Sequence, residues 1–255
     1  MSAVTGTDVV LGYGTKTVIS KSSFEIPSGK ITAVIGPNGS GKSTILNAIA
    51  GLIEPISGAI NVSTDQKRVA YVMQSTKVGD SLPISVREVV TMGRYADTGP
   101  YRRLGQEDRR AVTGAMERLG IADLADAHLA KLSGGQRQRV FVAQGLAQGH
   151  DILLLDEPLT GIDMTTAMAI DEVIHEEVEE GCAVVITTHD LSEAAAADHV
   201  LLVSGRIVAS GSPQETLTQD NLRAAYGAAL LHLGEGQILL DDAIHTNKGV
   251  TRHDH

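Results

Sequence analysis

This 255-residue sequence predicts an α/β fold built on a mainly parallel sheet that is covered on both faces. Three observations predict it. Runs at residues 31–35, 152–155 and 184–187, apolar apart from Thr32 and Thr187, are short and bounded by turn residues, which reads as strand rather than helix. Runs without alternation belong to strands buried on both faces, as parallel strands are. Segments with apolar residues at helical spacing stand between these runs, which gives the βα alternation of such a fold.

Composition narrows the possibilities. Hydrophobic residues make up 42%, enough for a large core, and charged residues 20%. The net charge is −10, and basic residues occur only in short pairs such as Arg102-Arg103 and Arg109-Arg110, which argues against a nucleic-acid partner. The single cysteine, Cys182, adjoins the run Ala183-Val184-Val185-Ile186 and reads as a small buried hydrophobe. One cysteine makes no disulfide framework, which fits the cytosol. No apolar run approaches the ~18 residues a membrane helix needs. Residues 1–8 lack the basic and apolar regions of a signal peptide. The expectation is a chain that neither spans nor crosses a membrane and is held at one, if at all, by another chain.

In chain order, residues 8–28 predict two short strands around a turn at Gly12-Tyr13-Gly14, with loose alternation in Val18, Ser20, Ser22, Phe24 and Ile26. Pro27-Ser28-Gly29-Lys30 turns the chain into the strand at 31–35. Ile45, Leu46, Ile49, Leu52 and Ile53 then recur at helical spacing, and Pro55-Ile56-Ser57-Gly58 breaks the chain. Residues 59–62 and 69–72 are strand-like and joined by a polar loop. Residues 84–128 turn helical, with Val86, Val89 and Val90 in one stretch. A second stretch is opened by Glu107 and Asp108 and carries Val112, Met116 and Leu119 on its core face. This reads as a helical subdomain inserted into the α/β core. Residues 136–147 are helical, and so is the segment with Ile170, Val173, Ile174 and Val178, whose acidic face (Asp171, Glu172, Glu176, Glu179, Glu180) reads as solvated surface. Residues 200–203 and 207–209 form a hairpin across Ser204-Gly205, and residues beyond about 246 are polar and expected to fray.

Gly36-Pro37-Asn38-Gly39-Ser40-Gly41-Lys42-Ser43-Thr44 fits G-x-x-x-x-G-K-[ST] between a predicted strand and helix, the context that motif requires. Its glycines let backbone N–H groups turn toward phosphate oxygens, and the helix N-terminus adds its positive dipole end. Lys42 supplies charge to the β- and γ-phosphates, and the Ser43 hydroxyl can ligate Mg²⁺. Ile152-Leu153-Leu154-Leu155-Asp156-Glu157 is an apolar strand ending in two carboxylates. Asp156 is assigned to Mg²⁺ and Glu157 to the general base that polarises the attacking water. Ser133-Gly134-Gly135-Gln136 opens a helix and is a further anion site by the same backbone logic.

Taken together, these motifs over roughly residues 5–228 resemble the ATPase domains of ABC transporters. The resemblance implies a P-loop NTPase fold with a RecA-like core, an N-terminal antiparallel β-subdomain and the inserted helical subdomain at about 84–145. It divides the chain into an ATPase domain at 1–228 and a C-terminal extension at 229–255. It implies that Gln74 links Mg²⁺ and water to the membrane subunit, that His189 in Thr187-Thr188-His189-Asp190 contacts the γ-phosphate, and that Tyr13 stacks on adenine. Asp163, in Thr160-Gly161-Ile162-Asp163, lies on the loop that crosses to a second subunit. ATP and Mg²⁺ are the implied ligands. Two ATPase subunits then face head to tail, so that Ser133, Gly134, Gly135 and Gln136 serve the partner's ATP, and ATP favours the closed dimer.

The implied partners are a second copy of the chain, membrane permease subunits and, indirectly, a substrate-binding protein. The implied place is the cytoplasmic face of the inner membrane. The stretch Ser85-Val86-Arg87-Glu88-Val89-Val90-Thr91-Met92-Gly93-Arg94 resembles importers for metals and metal chelates, and the ending 239–245 is similar to the manganese/zinc branch. Ile244 departs from that pattern where a second histidine is often found. The histidines at 245, 253 and 255 are mostly a solvated tail with metal binding as an alternative. Gln144-Gly145 interrupts the family's usual run after the signature, and a small packing change without loss of activity is expected there. An iron-siderophore or haem importer is the alternative cargo reading, with an exporter subunit or a soluble non-transport ABC ATPase behind it. The short spacer between phosphate loop and signature, the single ATPase domain and the acidic charge disfavour the soluble class.

Overall fold

The computed structural model describes residues 1–73, 83–95, 103–227, 230–233 and 237–240, the last two segments as backbone only. The chain begins with β1 (Ser2–Tyr13) and β2 (Lys16–Pro27), an antiparallel pair that β4 (Ser57–Val62) joins on the other side of β1. Both strands are longer than the two short ones expected from 8–28. Irregular register between Gly6 and Val9 and again between Val9 and Leu11 re-phases β1. Val4, Val9 and Leu11 are thereby all buried without a strict period of two.

The second sheet has six strands in the order β5-β6-β7-β3-β8-β9: β3 (Ile31–Ile35), β5 (Val69–Val72), β6 (Ile152–Asp156), β7 (Ala183–Thr188), β8 (His199–Val203) and β9 (Ile207–Gly211). Every pairing is parallel except β8 with β9. The two strand-like segments at 59–62 and 69–72 fall in different sheets. The polar loop between them ends in a 3-10 turn, Gln66–Arg68, whose start Asp65 caps.

The apolar runs are explained by what lies on each side of this sheet. Leu153 and Leu155 enter one core with the helices, and Ile152 and Leu154 enter the other with the β1–β2 sheet. Each of these buried side chains contributes about 1.5–3 kcal/mol relative to exposure.

Helix α1 (Lys42–Ile49) packs in the second of these cores. Leu52 and Ile53 do not extend it, contrary to the periodicity. Ala50 caps it, Gly51 turns left-handed, and Leu52 is 62% exposed. On the opposite side lie α2 (Val86–Met92), α3 (Gln106–Arg118) and α4 (Gly134–Ala147). Ser85 and Glu88 form a reciprocal capping box at the start of α2. Val112, Met116 and Leu119 are buried as their spacing predicts.

Asp108, read from the sequence only as a helix-opening acid, is itself buried. It accepts from the Gly105 N–H at 2.8 Å and pairs with Arg94 at 3.0 Å, and Arg94 also donates to the Ala147 carbonyl. This ties α2, α3 and α4 together. Gly93 ends α2 so close to α4 that a Cβ would lie 2.2 Å from the Gln144 carbonyl oxygen. At Gly145 a Cβ would come within 2.6 Å of Val72 Cγ2, so the glycine lets α4 lie close over β5.

The remaining helices are α5 (Met164–Glu179), α6 (Leu191–Ala196), α7 (Pro213–Thr216) and α8 (Gln219–Tyr226), followed by an antiparallel pair, β10 (Leu230–Leu233) and β11 (Gln237–Leu240). Among the described residues no helix is long and apolar enough to cross a membrane.

Candidate nucleotide site

Strand register assembles the site. Ile35 is paired with Thr188, and Asp156 with Thr187. The next residues, Gly36, Glu157 and His189, therefore leave the carboxyl ends of three adjacent strands, where open α/β sheets bind ligands.

The loop from Gly36 to Gly41 leads directly into α1. A Cβ on Gly36 would lie 2.0 Å from the Val203 carbonyl oxygen, so only glycine fits where the loop crosses β8. Gly41 has φ 107°, a conformation that excludes other residues. Ser40 Oγ is buried and has no hydrogen-bond partner among the described residues. Lys42 is 6% exposed, and its ammonium donates to the carbonyls of Gly36 at 2.8 Å and Pro37 at 3.3 Å. Burial pushes its pKa below the usual lysine value, while the carboxylates of Glu157 and Asp156 act to raise it. A glycine-lined turn, an unpaired buried hydroxyl and a lysine held at its mouth fit phosphate oxygens.

Asp156 is buried at 3% exposure and accepts from Ser43 Oγ at 3.1 Å, Thr187 Oγ1 at 2.7 Å and Tyr71 OH at 3.5 Å. Burial first, and then the Asp156 carboxylate, push the Tyr71 phenol above its ordinary range. A serine hydroxyl and a carboxylate in contact form the hard oxygen set that suits Mg²⁺. Glu157 follows with φ 51°, an uncommon conformation for a residue other than glycine. Its N–H donates to Thr187 Oγ1 at 2.8 Å. The sequence reading missed Thr187. The signal available was a pair of hydroxyl residues closing an apolar strand.

His189 is half-buried on a pinned loop. Thr188 Oγ1 donates to Glu193 Oε2 at 2.5 Å and accepts from the Asp190 N–H at 2.9 Å, and Asp190 caps α6. Burial raises the pKa of Glu193.

Tyr13 stands at the hairpin turn, 47% exposed, and its hydroxyl accepts from Asn47 Nδ2 on α1 at 2.8 Å. The ring is thus tethered to the helix that follows the phosphate loop.

A second group forms elsewhere in the chain. Ser133 caps α4: its Oγ accepts from the Gln136 N–H, and Gln136 Oε1 accepts from the Ser133 N–H at 3.0 Å. Ser133 and Gly134 are exposed, and a Cβ on Gly134 would meet nothing within 4 Å. Gly135 lies against Asp163, where a Cβ would approach Oδ2 to 2.8 Å. Asp163 caps α5 through the Thr166 N–H at 3.0 Å and the Thr166 hydroxyl at 2.9 Å. The two motifs that the sequence assigns to a partner subunit are therefore neighbours in this chain. Gln74 and the histidines at 245, 253 and 255 lie outside the described residues.

Residues 19–160 match the sequence model of the ABC transporter family. The chain is 39% identical over 235 residues to the chelated iron transport system membrane protein YfeB of Yersinia pestis, covering 89% of this chain and 79% of that protein. It is also 39% identical over 210 residues to the manganese transport system ATP-binding protein MntA of Synechocystis sp., covering 79% and 81%. A solved structure of a metal-chelate type ABC transporter in an inward-facing conformation superposes with a TM-score of 0.79 at 28% identity, over 89% of each chain. Motif geometry, the family match and similarity over most of the chain agree: this chain belongs to the ABC transporter family and is one of its ATPase subunits.

Proposed function

We propose that this chain hydrolyses ATP to energise uptake of a transition-metal ion, manganese or zinc, through a membrane permease. The cluster at the carboxyl ends of β3, β6 and β7 carries the ATPase part of this reading. Similarity to manganese and metal-chelate transport proteins carries the cargo.

In this reading Ser43 and Asp156, with Gln74, would hold Mg²⁺, which would neutralise phosphate charge when bound. Lys42 exchanges the Gly36 and Pro37 carbonyls for phosphate oxygens. The backbone around Gly39, Ser40 and Gly41 and the first turn of α1, with Thr44, cradle the remaining oxygens. Glu157 accepts a proton from the attacking water, with its backbone fixed by Thr187. His189 contacts the γ-phosphate, and Tyr13 stacks on the adenine. Ser133, Gly134, Gly135, Gln136 and Asp163 complete the site of a second copy, so that hydrolysis requires a dimer.

We infer that coupling to the permease runs through a groove on this chain. A groove of about 430 Å³ is lined by Leu52, Lys67, Val69, Tyr71, Met73 and Gln148 among others. Leu52 and Met73 are largely exposed apolar side chains there. Tyr71 both lines this groove and bonds to Asp156. A permease segment seated in the groove would thus touch a residue in contact with the Mg²⁺ ligand. The chain would sit on the cytoplasmic face of the inner membrane, and a substrate-binding protein would deliver cargo to the permease from the other side.

The test is uptake of radiolabelled manganese and zinc by cells lacking the gene, complemented with the wild-type chain or with Lys42→Ala. Uptake restored by the wild type alone supports the reading. Unchanged manganese and zinc uptake with lost ferric-siderophore uptake would favour the second reading, an iron-chelate importer, to which the YfeB similarity points. Leu52→Glu should abolish co-purification with the permease and leave nucleotide binding intact.

A further inference from the structure

At the opposite end of the parallel sheet lies a cluster that ATP chemistry does not use. His150 precedes β6, Cys182 precedes β7, and Glu177 stands near the end of α5. His150 Nε2, a Glu177 carboxylate oxygen and Cys182 Sγ all lie within 4.8 Å of one another. All three side chains are buried, with His150 at 5% and Glu177 at 6% exposure. Cys182 is buried in the core with the helices, as the sequence predicts, and His150 and Glu177 also lie beside it.

We propose that His150, Glu177 and Cys182 form a binding site for a zinc-class divalent ion, distinct from the nucleotide site. The donor set is imidazole, carboxylate and thiolate, which selects zinc over magnesium or manganese. The groups around the ligands already orient them. His150 Nδ1 lies 2.7 Å from the Gln148 carbonyl oxygen, and a carbonyl can only accept, so Nδ1 carries the proton and Nε2 faces the cluster. Nε2 is 2.8 Å from Glu177 Oε2, the distance of an ion pair; burial lowers the ring's pKa, but Cys182 and Glu177 outweigh it and raise it to about 10, so the ion would displace a proton from Nε2. The other carboxylate oxygen, Oε1, is taken by Arg118 Nη1 at 2.7 Å, which leaves Oε2 to the cluster.

Ligand atoms of a tetrahedral zinc stand about 3.3–3.7 Å apart. The triangle here reaches that spacing by opening the 2.8 Å His150–Glu177 edge and closing the Cys182 Sγ edges, which are no longer than 4.8 Å, by at most about 1.5 Å. The thiol must lose its proton on binding, and the ring binds in its neutral form. The ion would tie the end of α5 to the starts of β6 and β7. Asp156 and Thr187 sit at the far ends of those same strands, roughly 15 Å away.

The test is a cobalt(II) titration of the full chain without nucleotide. Cys182 is the only cysteine, so a thiolate-to-cobalt charge-transfer band can come from no other residue, and the histidine-containing tail cannot mimic it. The expected result is a band saturating at one ion per chain and bleached by zinc but not by manganese. The band should be lost in Cys182→Ser and weakened at least tenfold in affinity by His150→Gln and by Glu177→Gln. Zinc should raise the melting temperature of the wild type and not that of Cys182→Ser. No band in the wild type would overturn the proposal. So would a band whose affinity His150→Gln and Glu177→Gln leave unchanged, since that would be a lone thiolate. The wild-type arm and the His150 and Glu177 variants decide the question even if Cys182→Ser does not fold.

Discussion

Thr187 Oγ1 donates a 2.7 Å hydrogen bond to Asp156 Oδ1 and accepts one of 2.8 Å from the Glu157 N–H. One hydroxyl on β7 thus orients the proposed Mg²⁺ ligand and fixes the backbone of the proposed base. Outer-shell partners of this kind are worth about 10–100-fold in activity or metal affinity. Thr187→Val is expected to lower kcat or Mg²⁺ affinity by about that factor, and Thr187→Ser to recover most of it. Steady-state ATPase assays over a Mg²⁺ range decide this. Wild-type turnover in Thr187→Val would remove the positioning role.

Glu157→Gln keeps the size of the side chain and removes its basicity. Loss of general-base catalysis costs about 10²–10⁴-fold. Hydrolysis should fall by that order while ATP binding persists, and an ATP-dependent dimer should accumulate on a sizing column. A variant that turns over at the wild-type rate would exclude Glu157 as the base.

Lys42 is buried beside two carboxylates and held on loop carbonyls. Lys42→Ala removes a positive charge that acts on both carboxylates and removes the proposed phosphate contact. Nucleotide affinity should drop at least tenfold and hydrolysis should disappear. Calorimetric titration with a non-hydrolysable ATP analogue measures the first effect, and normal hydrolysis would contradict the site as described.

Two glycines make a paired test of packing. Gly93→Ala places a Cβ 2.2 Å from the Gln144 carbonyl oxygen, a backbone atom that cannot move aside, and should destabilise by about 1–3 kcal/mol. Gly114 lies inside α3, where a Cβ meets nothing within 4 Å, so Gly114→Ala should stabilise by about 0.5–1 kcal/mol. Urea unfolding curves should move in opposite directions. A shift of the same sign would show that the closeness of α2 to α4 is not what Gly93 provides.

His199, on β8, lies 3.1 Å from Ser210 Oγ, and burial, with Lys30 adding to it, holds its pKa below 6.5, against the opposing pull of Glu25 and Glu215. The folded state therefore disfavours the charged ring. The stability this represents is intact above the unfolded pKa and is lost as pH falls through the folded one. Between about pH 7 and 5 the wild type should lose more stability than His199→Gln. Parallel slopes in pH-dependent melting would show that His199 does not titrate differently on folding.

The sequence by itself determined the elements whose physics is local. Mainly apolar runs of four or five residues mark strands buried on two faces, and Leu153 to Leu155 fill a different core with each successive side chain. The phosphate loop is legible because its chemistry lies in nine contiguous residues, backbone included. Ser133 and Gln136 are legible as a helix start because capping acts over three residues, whereas Asp163, read as a loop acid, turns out to cap α5.

Tertiary structure decided everything that depends on register. Thr187 reaches Asp156 and Glu157 across about thirty residues only because β6 and β7 are paired Asp156 to Thr187. The end of α1 before Leu52 and the placing of residues 59–62 and 69–72 in separate sheets follow from packing that no local period records. Cys182 reads as a small buried hydrophobe, and His150 and Glu177 belong to no motif in the sequence. Side chains far apart in the chain acquire a joint chemistry only when the summed hydrogen bonds and burial of a whole sheet fix one register, and that sum is a property of the fold.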